Sequence, residues 1–323
     1  MDIEKALTEL REQMPGLKIL ENEPMNVHCS FKSGGAVRAY LAPQSITSLS
    51  KVCCILKENG IAPFMLGNGT NVVFPDEGNP ELIVMSTENL QGIRMLDEEH
   101  IYAEAGVSLS KLAAFAQENG LTGLEFASGI PGSVGGAVIM NAGAYGGEIK
   151  DAIESVTTYF LLDQRLYEYT NEQCKFSYRH SVFQEASGDI ILNAVFRLEK
   201  GDSDEICARM KELNERRRDK QPLDMPSAGS AFKRPEGYYA AALIEECGLK
   251  GCSVGGAQVS EKHAGFIVNT GSATSRDLYE LMDYVRKTVY EQKGVELYPE
   301  VILLSPEYKL EDDAPLPPRN RVN

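Results

Sequence analysis

Apolar side chains recur every three or four residues in several parts of the chain, a pattern typical of helices that bury one face. One such stretch ends before Gly60, where a C-terminal helix cap is expected, and another follows Ser108, a residue type that caps helix N-termini. A long polar stretch that opens at Gly201 is also helical in character. Helices are therefore predicted over residues 3–14, 46–56, 109–116, 201–220, 239–247 and 278–289.

Short runs rich in β-branched and aromatic residues lie between these helices and predict strands. The predicted strands cover residues 63–66, 82–86, 101–105, 155–162, 189–198, 265–269 and 301–304. Helices and strands alternate along the first hundred residues, which favours an α/β or α+β lobe.

The sequence pattern changes near Lys200 and Gly201, where a predicted strand is followed by a polar segment predicted to be helical. We therefore predict a region over residues 1–200, formed by a first lobe (1–87) and a second lobe (88–200), followed by a C-terminal domain (201–305). Residues 306–323 contain little to bury and are predicted to be a mobile tail.

The net charge of the 323-residue chain is -15, which argues against a nucleic-acid surface, because phosphate backbones are bound by clustered cations. The N-terminus has no secretory pattern, and no run approaches the roughly 20 apolar residues that cross a bilayer. Seven cysteines show neither a disulfide framework nor a metal-ligand spacing. We expect a cytoplasmic protein with no metal, no nucleic-acid partner and no membrane partner.

The one dense basic run is Arg216, Arg217 and Arg218. It has two interpretations, a clamp for a phosphate group and the solvated face of the polar helix. The second is favoured, because such runs usually face solvent.

Two segments are rich in glycine. Residues 66–74 place Gly67 and Gly69 among small polar residues, where consecutive backbone amides can form an anion-binding nest. The alternative is a simple turn between two strands. Residues 123–151 are too apolar for a linker and too glycine-rich for an ordinary helix. They predict a loop packed under a flat ligand, and the alternative is a buried crossover that needs glycine only for tight packing.

Three polar residues are candidates for chemistry, and each has a simpler explanation. Arg179 follows a tyrosine in FSYRHSVF and is by default a surface charge. Ser230, in PSAGSAFKRP, is a candidate proton donor or a turn cap, since the GxSxG pattern of a hydrolase is absent. Glu300, near the last predicted strand, is a surface carboxylate unless it joins the other two.

Taken in order, these segments resemble the bacterial UDP-N-acetylenolpyruvoylglucosamine reductases, flavoenzymes of peptidoglycan precursor synthesis. The resemblance runs from about residue 26 to about residue 304. It is carried by HCSFKSGGAV (28–37), LGNGTNVV (66–73), GLEFASGIPGSVGGAVIMNAGAYGGEI (123–149), YRHSVF (178–183), PSAGSAFKRP (226–235), GGAQVSEKHAGFIVN (255–269) and YPEV (298–301).

The resemblance implies an α+β flavin-binding fold of the vanillyl-alcohol-oxidase type, in which two lobes hold FAD without a covalent bond and a C-terminal domain closes over the nucleotide sugar. It implies NADPH as hydride donor, UDP-N-acetylglucosamine enolpyruvate as substrate, and a monomer without an obligatory protein partner. Arg179, Ser230 and Glu300 match the catalytic residues, and Arg179, Lys233 and Arg234 match substrate contacts. The matching cofactor-binding residues are Gly67, Asn68, Gly69, Thr70, Asn71, Gly129, Ile130, Gly132, Ser133, Gly135, Gly136, Asn141, Gly143 and Tyr145.

Two departures from the family pattern qualify these expectations. Arg234 stands where many relatives have asparagine, so it either loses a substrate contact or grips the diphosphate instead. The chain also lacks an inserted tyrosine-bearing loop between Arg179 and Ser230, which places it in the shorter subclass. The alternatives are another flavin oxidase on the same fold and a nucleotide-binding module without catalysis.

Overall fold

The computed structural model describes residues 2–185, 188–304 and, for the backbone alone, 320–321. Of the seven α-helices in these residues, six lie where the sequence pattern predicts them, and the fourth does not. The helices are α1 (Ile3–Gln13), α2 (Ile46–Glu58), α3 (Leu109–Glu118), α4 (Val134–Met140), α5 (Ser203–Lys220), α6 (Ala240–Glu246) and α7 (Ser275–Lys293).

The strands form three main sheets and several two-stranded pairs. They are β1 (Lys18–Pro24), β2 (Ala36–Ala42), β3 (Phe64–Leu66), β4 (Val72–Val73), β5 (Asn79–Ser86), β6 (Ile93–Met95), β7 (His100–Glu104), β8 (Leu121–Thr122), β9 (Gly143–Ala144), β10 (Gly147–Glu148), β11 (Ile153–Phe160), β12 (Arg165–Thr170), β13 (Asp189–Arg197), β14 (Glu199–Lys200), β15 (Ser227–Ser230), β16 (Ser253–Val254), β17 (Ala257–Val259), β18 (Phe266–Asn269), β19 (Ile302–Leu303) and β20 (Asn320–Arg321).

The first lobe is a four-stranded sheet in the order β1-β2-β5-β3, covered by α1 and α2. Both helices begin as their sequences direct, because Asp2 caps α1 and Ser45 caps α2 through a reciprocal bond with Ser48. Their apolar faces enter a core that also takes Tyr159 and Leu192 from the second lobe. The two lobes are therefore joined through a shared hydrophobic cluster.

The second lobe contains a six-stranded sheet in the order β20-β12-β11-β13-β7-β6. Its central strands β11 and β13 confirm the strands predicted over 155–162 and 189–198. Helix α3 packs on this core and begins at Ser108, whose hydroxyl accepts the amide of Lys111, as the sequence predicts.

Helix α4 corrects the expectation that the glycine-rich segment is loop throughout. Ser133 caps it, and Val134 and Val138 are fully buried in the second-lobe core. Gly135 lies against the end of β7, where an added Cβ would come within 3.1 Å of the Ala105 Cβ. The low helix propensity of glycine is outweighed here, because its small size allows a helix to approach a strand closely.

The C-terminal domain is a four-stranded sheet in the order β15-β18-β17-β16, covered by α6 and α7. Thr274 and Asp277 form a capping box at the start of α7. The first lobe completes this helix end, because the Asp76 carboxylate accepts the backbone amides of Ser275 and Arg276 at 2.8 and 2.9 Å. These bonds fix the C-terminal domain against the first lobe.

Helix α5 follows the predicted domain boundary but contacts the second lobe. Gln117 of α3 donates to the Ser203 hydroxyl at 2.7 Å, and Asn214 donates to the Ser128 hydroxyl at 3.2 Å. The division at residue 200 stays a prediction. The predicted mobile tail lies outside the described residues, except that β20 pairs with β12.

Two further observations concern the chain as a whole. All seven cysteines are unpaired. Among the described residues, none of the helices combines the length and the apolar character needed to cross a membrane.

Candidate functional site

The segment that contains β19 brings three distant parts of the chain together. The amide of Lys233 donates to the Tyr298 carbonyl at 2.8 Å, and the amide of Glu300 donates to the Ala231 carbonyl at 2.9 Å. Two residues later, the amide of Ile302 donates to the Asn71 carbonyl at 2.9 Å. Glu300 therefore lies between the chain that follows Ser230 and the glycine-rich loop of the first lobe.

Ser230 lies at the end of β15, opposite Phe266 of β18. The preceding residue, Gly229, has a φ of +82°, in the region that side chains rarely adopt, and a register irregularity accompanies it. The next residue, Ala231, accepts the Glu300 amide. The local backbone thus places Ser230 directly before the residue that accepts the Glu300 amide.

Arg179 is held by a tight turn in which Ser177 and His180 exchange backbone hydrogen bonds. Its φ of +54° lies in the left-handed region, which is uncommon for an arginine. Asn141 secures the turn by donating to the Ser177 carbonyl at 2.8 Å, and Gln184 donates to the Arg179 carbonyl at 2.9 Å. Such strain persists where neighbouring structure enforces it, and it is concentrated at functional sites.

The side chains of Arg179 and Glu300 form an ion pair, with Nε of Arg179 at 2.5 Å from Oε1 of Glu300. The two side chains are only 19% and 13% exposed. Nη2 of Arg179 donates to the Gly143 carbonyl at 3.1 Å, and Nη1 has no partner among the described residues. The pair therefore leaves one edge of the guanidinium available to a ligand.

Burial raises the pKa of Glu300, and the positive charges of Arg179 and Lys233 oppose that shift. A carboxyl group with a raised pKa takes up and releases a proton more readily near neutral pH than an exposed one does. The site thus offers a cation for developing negative charge and a carboxyl group that can handle a proton, and Ser230 is joined to it through the backbone bond between Glu300 and Ala231.

The two glycine-rich segments meet beside this site. An added Cβ on Gly67 would lie 2.4 Å from the Ser133 hydroxyl oxygen, so the loop of the first lobe and the N-terminal end of α4 are in close contact. Gly69 has a φ of +61° and its carbonyl accepts the amide of Ser30 at 3.0 Å. The predicted cofactor residues of the two segments therefore lie in one region.

Within this region the predicted cofactor residues differ in accessibility. Asn68 and Tyr145 are exposed, whereas Thr70, Ile130, Gly132 and Gly136 are half-buried. Asn141 is fully buried, and its amide is already bonded to Glu148, Ser177 and Lys150. Asn141 thus positions the segments around it, and direct contact of this side chain with a cofactor stays a prediction.

The region fits a phosphate-containing flavin nucleotide. In the Gly67 and Gly69 loop, Gly69 is buried and has a left-handed φ of +61°, a turn conformation of the kind in which consecutive backbone amides can bind an anion. Nearby, the buried Nε of Arg217 has no hydrogen-bond partner among the described residues. Of the basic run, Arg216 and Arg218 are exposed, as the solvated-face interpretation requires, but Arg217 is not.

A surface cavity of about 590 Å³ opens beside Tyr298, two residues before Glu300, and was not predicted from the sequence. Lys233, Arg234, Tyr178, Tyr238 and Tyr298 contribute to its lining. The hydroxyl of Tyr178 accepts the amide of Arg234 at 3.1 Å, which joins the turn of the second lobe to the C-terminal domain. In the sequence, the position of Tyr178 directly before Arg179 was the one signal that could have indicated this cavity.

Comparisons with known proteins cover nearly the whole chain. A family model described as UDP-N-acetylenolpyruvoylglucosamine reductase, C-terminal domain, matches residues 221–304, and an FAD binding domain model matches residues 37–162. The chain is 48% identical over 300 residues to the UDP-N-acetylenolpyruvoylglucosamine reductase of Caldanaerobacter subterraneus subsp. tengcongensis, with 92% of this chain and 97% of that protein covered. It is 46% identical to the reductase of Clostridium novyi, with 95% and 98% covered.

A solved structure shows the same similarity. The crystal structure of UDP-N-acetylenolpyruvylglucosamine reductase from Thermus caldophilus superimposes with a TM-score of 0.73 at 34% identity, covering 89% of this chain and 98% of that one. The α+β flavin-binding fold predicted from the sequence is therefore confirmed.

Replacing Arg179 by Gln should raise the pKa of Glu300 further, because a positive charge that favours the carboxylate is removed. Infrared titration of the carboxyl band, assigned with Glu300→Gln, measures this shift. A carboxyl pKa that is higher in the folded than in the unfolded protein lowers the free energy of unfolding only at pH values where the unfolded carboxyl group is ionised. The loss of stability in Arg179→Gln should therefore be small near about pH 4 and larger at neutral pH.

The control is Arg165→Gln, which removes an exposed arginine of β12. This variant should leave the Glu300 titration unchanged. An unshifted Glu300 band in Arg179→Gln, or a deficit independent of pH, would contradict the coupling between the two side chains.

Proposed function

The chain belongs to the UDP-N-acetylenolpyruvoylglucosamine reductases, and we propose that Arg179, Ser230 and Glu300 are the side chains that act on its substrate. The enzyme reduces the enolpyruvyl group of UDP-N-acetylglucosamine enolpyruvate to the lactyl group of UDP-N-acetylmuramate, in peptidoglycan precursor synthesis. The observation that carries the assignment of residues is the Arg179–Glu300 pair beside the end of β15, assembled from three separated stretches of the chain.

FAD is the resident cofactor, and when bound it supplies a hydride to the terminal carbon of the enol ether, after NADPH has reduced it. Negative charge then develops at the carbon that bears the substrate carboxylate. Arg179 stabilises this charge through the substrate carboxylate, using the free Nη1 edge of its guanidinium. Its orientation is fixed in advance by Glu300 and the Gly143 carbonyl, so little reorganisation accompanies the reaction.

Ser230 delivers the proton that completes the reduction, at the carbon next to the one that receives the hydride. A serine hydroxyl is a weak acid, and it needs a neighbouring group to stabilise the charge left behind. Glu300 and Lys233 are the charged residues that we assign to this purpose, because the Glu300 amide donates to the carbonyl of Ala231, next to Ser230, and Lys233 follows two residues later. Glu300, with its raised pKa, also shares the charge of the intermediate through a hydrogen bond.

The predicted cofactor residues divide between the two glycine-rich segments. We assign the FAD pyrophosphate to Gly67, Asn68, Gly69, Thr70 and Asn71 together with the loop from Gly129 to Gly136. This assignment is supported by the close contact between Gly67 and Ser133, through which the two segments form one surface. The segment from Asn141 to Tyr145 is assigned to the border between the flavin and the substrate, since the Gly143 carbonyl binds Arg179.

The cavity lined by Lys233, Arg234 and three tyrosines is assigned to the nucleotide end of the substrate. It combines cations for a diphosphate with aromatic faces for a base. Arg234 is exposed there, its Nε donates to the Tyr238 carbonyl at 3.3 Å, and its guanidinium lies 4.1 Å from the ring centre of Tyr239. This arrangement supports the interpretation that arginine replaces the asparagine contact of relatives.

Two features of the cellular setting are proposals as well. The unpaired state of all seven cysteines supports a reducing compartment, and we place the enzyme in the cytoplasm. We expect a monomer, because the predicted catalytic residues all come from one chain. Sedimentation of the purified protein tests the second point.

The function is tested by following flavin absorbance in a stopped-flow instrument without oxygen. NADPH should bleach the flavin, and UDP-N-acetylglucosamine enolpyruvate should then restore the colour rapidly. Colourless protein that takes up no FAD would indicate a nucleotide-binding module. Reduced flavin that reacts with oxygen but not with the sugar would indicate an oxidase on the same fold.

The variant Ser230→Ala should lose about 10²- to 10⁴-fold in the rate of the second half-reaction, because its proton donor is removed. Bleaching by NADPH should remain near the wild-type rate, since that step needs no such proton. The matched control is Ser227→Ala, three residues earlier in β15. Equal slowing of both half-reactions would assign Ser230 a structural role instead.

The variant Arg234→Asn should raise KM for the sugar substrate about tenfold, as expected when one charge-assisted contact is lost, and should change kcat less. Steady-state kinetics at fixed NADPH measure both constants. Lys287→Gln, which removes an exposed cation of α7 outside the cavity, is the control. An unchanged KM for Arg234→Asn would rule out a diphosphate contact.

A further inference from the structure

Arg217 is turned inward from a helix face that is otherwise exposed. It lies on α5 between Arg216 and Arg218, both of which are exposed, yet its Nε is buried. Among the described residues, its guanidinium has no ion pair and its Nε has no hydrogen-bond partner. Burial lowers the pKa of Arg217, so no carboxylate of the protein offsets the loss of water around this charge.

The surroundings of Arg217 belong to the glycine-rich segment of the second lobe. An added Cβ on Gly129 would lie 3.1 Å from Cδ and 3.6 Å from Nη1 of Arg217. One helical turn earlier, Asn214 donates to the Ser128 hydroxyl, which fixes α5 against the same turn of the loop. On the other side, the Arg216 guanidinium lies 5.1 Å from the ring centre of Tyr145. Arg217 thus borders the region assigned to FAD.

Arg217 is half-buried with its Nε fully buried, and a guanidinium that loses water without gaining an acidic partner is costly unless an anion completes its environment. Phosphate groups suit arginine, because the planar guanidinium donates two parallel hydrogen bonds to their oxygens. Because Gly129 has no side chain, Nη1 of Arg217 can lie close to the loop. A side chain at position 129 would collide with Asn214 and Arg217.

We propose that Arg217 binds the pyrophosphate of FAD and that α5, although it follows the second lobe in sequence, completes the cofactor site. This inference rests on the proposed function. The substrate carries a diphosphate too, but the cavity assigned to it is lined by Lys233 and Arg234 and does not include Arg217. The contacts of Arg217 are with the segment that holds the cofactor.

The test compares FAD affinity in the apoprotein forms of the wild type, Arg217→Gln, Arg217→Lys and Arg218→Gln. Quenching of FAD fluorescence during titration gives the dissociation constant. Arg217→Gln should weaken FAD binding about 10- to 100-fold, the range expected for one lost charge-assisted contact, and Arg217→Lys should restore part of the loss. Arg218→Gln removes the same charge one residue away on the exposed face and should bind FAD like the wild type.

Thermal unfolding separates a phosphate contact from a role in folding. The apoprotein of Arg217→Gln should be at least as stable as the wild-type apoprotein, because an unpartnered buried charge is removed. Its rise in Tm on adding FAD should be smaller. A less stable apoprotein with an unchanged FAD-induced rise in Tm would overturn the proposal.

Two other results would also overturn it. An unchanged FAD dissociation constant with a raised KM for the sugar would assign Arg217 to the substrate diphosphate. An unchanged constant with unchanged kinetics would leave Arg217 without a ligand. A wild-type protein that binds no FAD would instead refute the proposed function, so the two failures are distinguishable.

Discussion

The backbone hydrogen bonds of residues 298–304 hold the proposed catalytic residues in place. The amides of Ile302 and Leu304 donate to the carbonyls of Asn71 and Val73 in the first lobe, and the amide of Glu300 donates to the carbonyl of Ala231 in the C-terminal domain. The Glu300 side chain then reaches Arg179 of the second lobe. Because side chains alternate along an extended chain, a slip of one residue would exchange Glu300 with buried Val301 and separate the acid from the arginine.

The Arg179–Glu300 pair is better explained by chemistry than by stability. A largely buried ion pair loses solvation on both partners, and apolar residues of similar volume often stabilise a fold more. The left-handed backbone of Arg179 adds a further cost. Both costs are consistent with a site that holds a cation in one orientation before substrate arrives, where it acts on charge as it develops.

Periodicity predicted most of the helices and the central strands, because those elements bury one face or lie wholly inside. It missed β1, whose exposed and half-buried residues resemble a polar loop, and also β2 and β12. It missed α4 as well, whose glycines suggest loop until the approach to Ala105 is known. The candidate catalytic residues came from a family resemblance, and only the fold could show that Glu300 meets Arg179. The buried Arg217 was not predictable, because three adjacent arginines look alike until the helix is packed.

Close packing accounts for some of the glycines of residues 123–151 and leaves others unexplained. At Gly143 and Gly147 an added Cβ would collide with protein atoms at 2.7 and 2.5 Å, and at Gly135 it would be tightly packed at 3.1 Å, so close packing explains these three glycines. Gly132 and Gly136 have no neighbour nearer than 3.7 and 3.5 Å to an added Cβ, so packing gives no reason for their lack of a side chain. A glycine without a crowded neighbour and with a negative φ is best explained by a ligand that approaches its backbone. The two glycines left unexplained by packing flank Ser133, where the first-lobe loop also arrives, which supports the proposed cofactor surface there.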